Sequence, residues 1–121
     1  MKALCVLVVE DDPLIGTLVA EVLESMGYEV CAIEDTEAGA VTAAARFQPD
    51  LMIVDVRLSE GSGIAAVEQI TRARSIPHVF VSGGTSGRQA FKPGAIIIQK
   101  PYREADLAAA IKRALGAAAL A

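Results

Sequence analysis

A chain of 121 residues has room for one compact domain with its own core and none for a second. Its hydrophobic fraction of 53%, against 21% charged residues, excludes an intrinsically disordered chain. The net charge of −4 joins two unlike parts, with 13 acids and three bases in residues 1–68 and two acids and eight bases in residues 69–121, and the acidic balance argues against nucleic acid as a partner. The basic half reads as a solvated face, or as one turned to an acidic partner or an anion. Every apolar run falls short of the roughly 18 residues of a membrane span. Glu10, Asp11 and Asp12 stand where a signal peptide would place its cleavage site. The chain is therefore expected to be soluble and cytoplasmic, with no membrane partner. Cys5 and Cys31 cannot build a disulfide framework, and the single histidine, His78, leaves no set for structural zinc, so both thiols are expected to be buried apolar fillers.

In chain order, Leu4 to Val9 is a β-branched, apolar run that reads as a strand. Asp12 as N-cap, Pro13 in the first turn, an apolar face from Leu14 to Met26 and Gly27 as terminator then mark a helix. A second strand is expected from Tyr28 to Ile33 and a helix from Thr36 to Phe47, followed by Leu51 to Val54 as strand and Gly63 to Ala73 as helix. His78 to Val81 and Ala95 to Gln99 complete five strands, and Arg103 to Leu115 forms the last helix. Pro49, Pro77 and Pro101 punctuate the ends. Gly83 to Gly94 holds four glycines and Pro93, which disfavour a helix and predict a flexible loop. The tail from Gly116 to Ala121 reads as a frayed helix end. Apolar strands alternating with helices make a parallel sheet covered on both faces, the doubly wound α/β architecture.

In that architecture the ligand site lies beyond the carboxyl ends of the strands. The residues there are Glu10, Asp11 and Asp12 after the first strand, Asp55 after the third, Ser82 after the fourth, and Lys100 with Pro101 after the fifth. Two carboxylates about 4 Å apart repel by roughly 4 kcal/mol at an effective dielectric of 20, so such a cluster calls for a cation. Magnesium takes oxygen ligands of this kind. Asp55 can then act as a nucleophile toward a phosphoryl group, with the Lys100 ammonium and the Ser82 hydroxyl binding phosphoryl oxygens.

These pieces resemble the receiver domain of two-component response regulators, the CheY-like family, across residues 2–116. The likeness rests on Val-Leu-Val-Val-Glu-Asp-Asp at 6–12, Leu-Met-Ile-Val-Asp at 51–55, Val-Phe-Val-Ser-Gly at 79–83 and Gln-Lys-Pro-Tyr at 99–102. It implies a single receiver domain over residues 1–121 with the flavodoxin-like strand order 2-1-3-4-5. It implies that Asp55 accepts phosphate from a sensor histidine kinase or histidine phosphotransfer protein, and that magnesium binds Asp11, Asp55 and the backbone carbonyl of Arg57, with Glu10 assisting through water. A cis peptide between Lys100 and Pro101 is implied as well. The family's aromatic residue three positions before the lysine is here Ile97. The run from Pro77 to Gly84 is similar to the motif of the FAT GUY subclass of single-domain receivers, with His78, Val81 and Ser82 at the Phe, Ala and Thr positions.

Other readings are weaker. Asp12 reads as a helix cap more than a ligand, His78 as a packed imidazole, and Phe80 and Ile97 as core. Arg57 is expected near the site mouth, touching phosphate or solvent. Gly61 to Ala66 formally fits a dinucleotide fingerprint but follows the third strand instead of the first, so it reads as a flexible loop feeding a helix. A phosphohydrolase of the haloacid dehalogenase type needs a second carboxylate two residues after the nucleophile, where this chain has Arg57. A scaffold indifferent to phosphate is the third reading.

Overall fold

The apolar runs pair edge to edge because the central ones, Cys5–Val9, Leu51–Asp55 and His78–Ser82, are buried on both faces and must satisfy their backbone laterally. The computed structural model describes residues 3–83 and 91–120. In it β1 (Cys5–Val9), α1 (Pro13–Ser25), β2 (Glu29–Glu34), α2 (Glu37–Phe47), β3 (Leu51–Asp55), α3 (Gly63–Ala73), β4 (His78–Ser82), β5 (Ile97–Gln99) and α4 (Glu104–Leu120) follow in order. The strands form one parallel sheet in the order β2-β1-β3-β4-β5, as expected for the receiver fold.

Strand alternation sends side chains to two cores. Val6, Val8, Leu51, Ile53, Val79 and Val81 meet Val19 and Leu23 of α1 and Leu107 and Ile111 of α4. Leu7, Val9, Met52, Val54 and Phe80 face α2 and α3, where the buried partners are Ala40, Ala43, Ala44, Ala66, Val67 and Ile70. Leu7, Leu23, Leu51, Met52 and Leu107 are fully buried, each a gain of about 1.5–3 kcal/mol over exposure. Local signals set the helix starts. Asp12 accepts from the amides of Leu14 and Ile15 with Pro13 at the first turn, Thr36 caps α2 through the Gly39 amide, and Ser62 caps α3 through the Ala65 amide.

Some expectations change. α4 does not fray at Gly116: the helix runs on to Leu120, because a lone glycine among alanines costs only about 1 kcal/mol. β5 is shorter than expected, as Ala95 and Ile96 are outside it. Cys5, at the start of β1, and Cys31, on the edge strand β2, are half-buried, not fully buried. Cys31 falls at an irregularity where Val6 pairs with Val30 and Leu7 with Ala32, and its thiol donates to the Val6 carbonyl at 3.4 Å. Burial, with Cys5 beside it, pushes the Cys31 thiol up to about 12. His78 is packed as expected, one ring nitrogen 2.9 Å from the Ile76 carbonyl and the ring edge-on to Phe80. The flexible loop expected in residues 83–94 falls largely on residues 84–90, outside the described residues; Phe91 to Ile96 form no helix or strand. Among the described residues no helix is long and apolar enough to cross a membrane.

Candidate functional site

All strands point the same way, so their carboxyl ends share one edge, and the polar residues that follow them gather there. Glu10 and Asp55 are each 6% exposed and are the buried charged residues among those described. Asp11, half-buried, joins them: one carboxylate oxygen from each of Glu10, Asp11 and Asp55 lies within 4.8 Å of the others. Lys100, next after β5, reaches across the edge. Its ammonium donates to Asp55 Oδ2 at 3.0 Å and to Glu10 Oε1 at 3.1 Å. The backbone fixes its starting point, because the Lys100 amide donates to the Ser82 carbonyl at 2.8 Å and the peptide to Pro101 is cis, as the motif implied. Glu10 is held from its other side by the Asp12 amide, 3.1 Å from Oε2.

The electrostatics follow from this geometry. Burial pulls the Lys100 ammonium down, but the hydrogen bonds and charges of Asp55 and Glu10 together outweigh it and hold the group above the ordinary lysine range. Three carboxylates against one ammonium leave a formal charge of −2, which matches a divalent cation. The donors are all hard oxygens, a set that fits magnesium and not a soft, thiolate-seeking metal.

Of the residues singled out in the sequence, Glu10, Asp11, Asp55 and Lys100 are brought together. Ser82, half-buried at the end of β4, joins them through its backbone bond to Lys100. Arg57 stands two residues beyond Asp55 with an exposed side chain and its backbone paired to Ser62. Asp12 is exposed and serves as the α1 cap.

Two contributors escape the sequence reading. Gly63 begins α3, as the expected helix from Gly63 to Ala73 has it, and is not part of a flexible loop; it is buried there, and a Cβ would collide with the Asp55 carbonyl oxygen. Only glycine lets α3 begin against the backbone that carries Asp55. Nothing short of the packed helix could have revealed this, since a glycine before a helix also reads as a hinge. The second is Tyr102, which borders Asp55, Glu10 and Val81. Burial pushes its phenol up; Lys100 opposes this, and Glu10 and Asp55 add to it. The tyrosine after Lys-Pro was the available signal.

Comparison with known proteins shows the family and the fold. The family model described as the response regulator receiver domain matches residues 6–112. The chain is similar to the phyllosphere-induced regulator PhyR of Methylorubrum extorquens, with 31% identity over 117 residues, covering 91% of this chain and 43% of that protein. It is also similar to the transcriptional regulatory protein PdtaR of Mycobacterium tuberculosis, with 33% identity over 114 residues, covering 91% of this chain and 56% of that one. The chain thus spans about half the length of these curated relatives. The solution structure of the PhyR receiver domain from Erythrobacter litoralis superposes with a TM-score of 0.83 at 30% identity, over 96% of this chain and 92% of that one.

Proposed function

The chain belongs to the response regulator receiver domain family, the signalling module of two-component systems, and on that premise we propose that Asp55 accepts a phosphoryl group from a sensor histidine kinase or a histidine phosphotransfer protein in the cytoplasm. The observation that carries this reading is the Lys100 ammonium bridging Asp55 and Glu10 beside Asp11. An Asp55 carboxylate oxygen forms a bond to phosphorus while the phosphorus–nitrogen bond of the donor's phosphohistidine breaks, its electron pair staying on the imidazole. Lys100 keeps a further ammonium hydrogen beyond the two engaged by Asp55 and Glu10, and this donates to a phosphoryl oxygen as charge builds there. The Ser82 hydroxyl binds another. Glu10, Asp11, Asp55 and the Arg57 carbonyl would hold magnesium, which supplies positive charge to the phosphoryl oxygens when bound. The phosphorylated domain then signals by binding a downstream protein or by passing the phosphate on; it is not itself a turnover enzyme.

Acetyl phosphate with magnesium, followed by intact mass, tests the reading. Wild type gains one phosphoryl adduct. Asp55→Asn, nearly isosteric but unable to form the acyl phosphate, stays folded and gains none. Stoichiometric phosphate on the Asn variant would rule out Asp55 as acceptor. Turnover of many equivalents would point to a phosphohydrolase, and a folded wild type with no adduct to a phosphate-independent scaffold.

A further inference from the structure

The loop between β3 and α3 turns back directly after Asp55. The Gly63 amide donates to the Val56 carbonyl at 2.9 Å, and Arg57 pairs with Ser62 in an antiparallel bridge. The far end of this loop is gripped by Glu37, the first residue of α2. Its amide donates to the Glu60 carbonyl at 3.1 Å, and its carboxylate accepts from the Ser62 amide at 3.0 Å and from the Gln69 side-chain amide at 2.6 Å. Gly61, at φ +83°, makes room for this grip, because a Cβ at that position would run into the Glu37 side chain. One half-buried carboxylate thus ties α2, the loop and α3 together.

We propose that Glu37 is a positioning residue for the phosphoacceptor site: by holding Ser62 it fixes the paired backbone of Arg57, and with it the carbonyl that would serve the cation. This rests on the reading of Asp55 and its acidic neighbours as a magnesium-dependent phosphoacceptor site. Val56 is buried in the core beside the strand and Leu58 is half-buried, but residues 59–62 carry no apolar side chain, so the shape of this far end depends on these hydrogen bonds. Groups that orient a ligand without touching the metal change affinity by about 10- to 100-fold when removed. An acid in the first turn of a helix also favours that helix through its dipole, and this bland role has a different signature. Glutamine keeps both hydrogen bonds, with its oxygen accepting from Ser62 and its amide donating to the Gln69 oxygen, but it loses the charge.

The experiment titrates isotope-labelled protein with magnesium alone and follows backbone amide shifts by NMR. Glu37→Ala weakens magnesium binding about tenfold and exposes the Ser62 amide to faster hydrogen exchange, whereas Glu37→Gln binds within about twofold of wild type. Should Glu37→Ala fail to fold, Gln69→Ala removes only the outer hydrogen bond of the carboxylate and still weakens binding about threefold. Unchanged affinity in the folded alanine variant overturns the proposal, as does equal weakening in the glutamine variant, which would assign the effect to charge. If wild type binds no magnesium and forms no adduct with acetyl phosphate, the phosphoacceptor reading itself falls and this proposal with it.

Discussion

The two faces of the sheet are packed by different means, and the site edge inherits the difference. On the α1–α4 face, Ile15, Leu18, Val22 and Leu107 line a groove of about 610 Å³ that ends at Lys100 and Tyr102. Leu14 and Leu18 of α1 are 69% and 51% exposed. On the α2–α3 face the buried helix residues include Ala40, Ala43, Ala44 and Ala66, and Gly63 presses against the Asp55 backbone. Bulky side chains hold a helix pair apart and leave an apolar trough between them; small ones bring helices down onto the sheet and its loops. The strand-end site therefore has an open apolar wall on one side and a close-packed, hydrogen-bonded wall on the other.

The largest expected effect lies beneath the open wall. Leu107 is fully buried between α4 and the sheet, and Leu107→Ala should cost about 3 kcal/mol, the transfer term plus a cavity that the strands cannot close. Urea unfolding with an unchanged m-value measures it. A loss under about 1 kcal/mol would mean that this face collapses freely and that the contrast with the other face is wrong.

Gly63→Ala probes the close-packed wall. The added methyl group meets backbone, which cannot step aside as a side-chain tip can. We expect about 2 kcal/mol of destabilisation, with the Asp55 and Val56 amides shifted by NMR before those of α1. Undisturbed amides would show that α3 has slack at its first turn.

The smallest effect belongs to Lys100, where the two walls meet. Its folded pKa lies above the ordinary lysine value of 10.5, so its pairing with Asp55 and Glu10 contributes stability that is fully present below 10.5 and is lost as pH climbs through the higher folded value. Wild type should therefore lose more stability than Lys100→Met as the pH rises above 10.5 in parallel urea titrations. Identical pH profiles would mean that the ion pair adds no stability in solution.

What the sequence by itself determined was local. Asp12 with Pro13, Thr36 and Ser62 each meet their amide partners within three residues, so their helix starts could be read directly. The β-branched runs named all five strands to within about two residues, boundaries being the weakest part of any such reading. Strand-end placement nominated Glu10, Asp11, Asp55, Ser82 and Lys100 as one edge.

The tertiary structure decided whatever depends on approach between distant segments. That Lys100 bridges Asp55, 45 residues away, and Glu10, 90 away, follows from strand order. The Cys31 thiol is only half-buried because β2 is an edge strand, which no composition reveals. Gly63 and Glu37 gain their roles solely from what stands opposite them: a carbonyl oxygen that leaves no room for a Cβ, and a Ser62 amide that would otherwise lack its carboxylate acceptor. Hydrogen bonds and steric exclusion act over a few ångströms, and only the folded chain sets which residues come within that range.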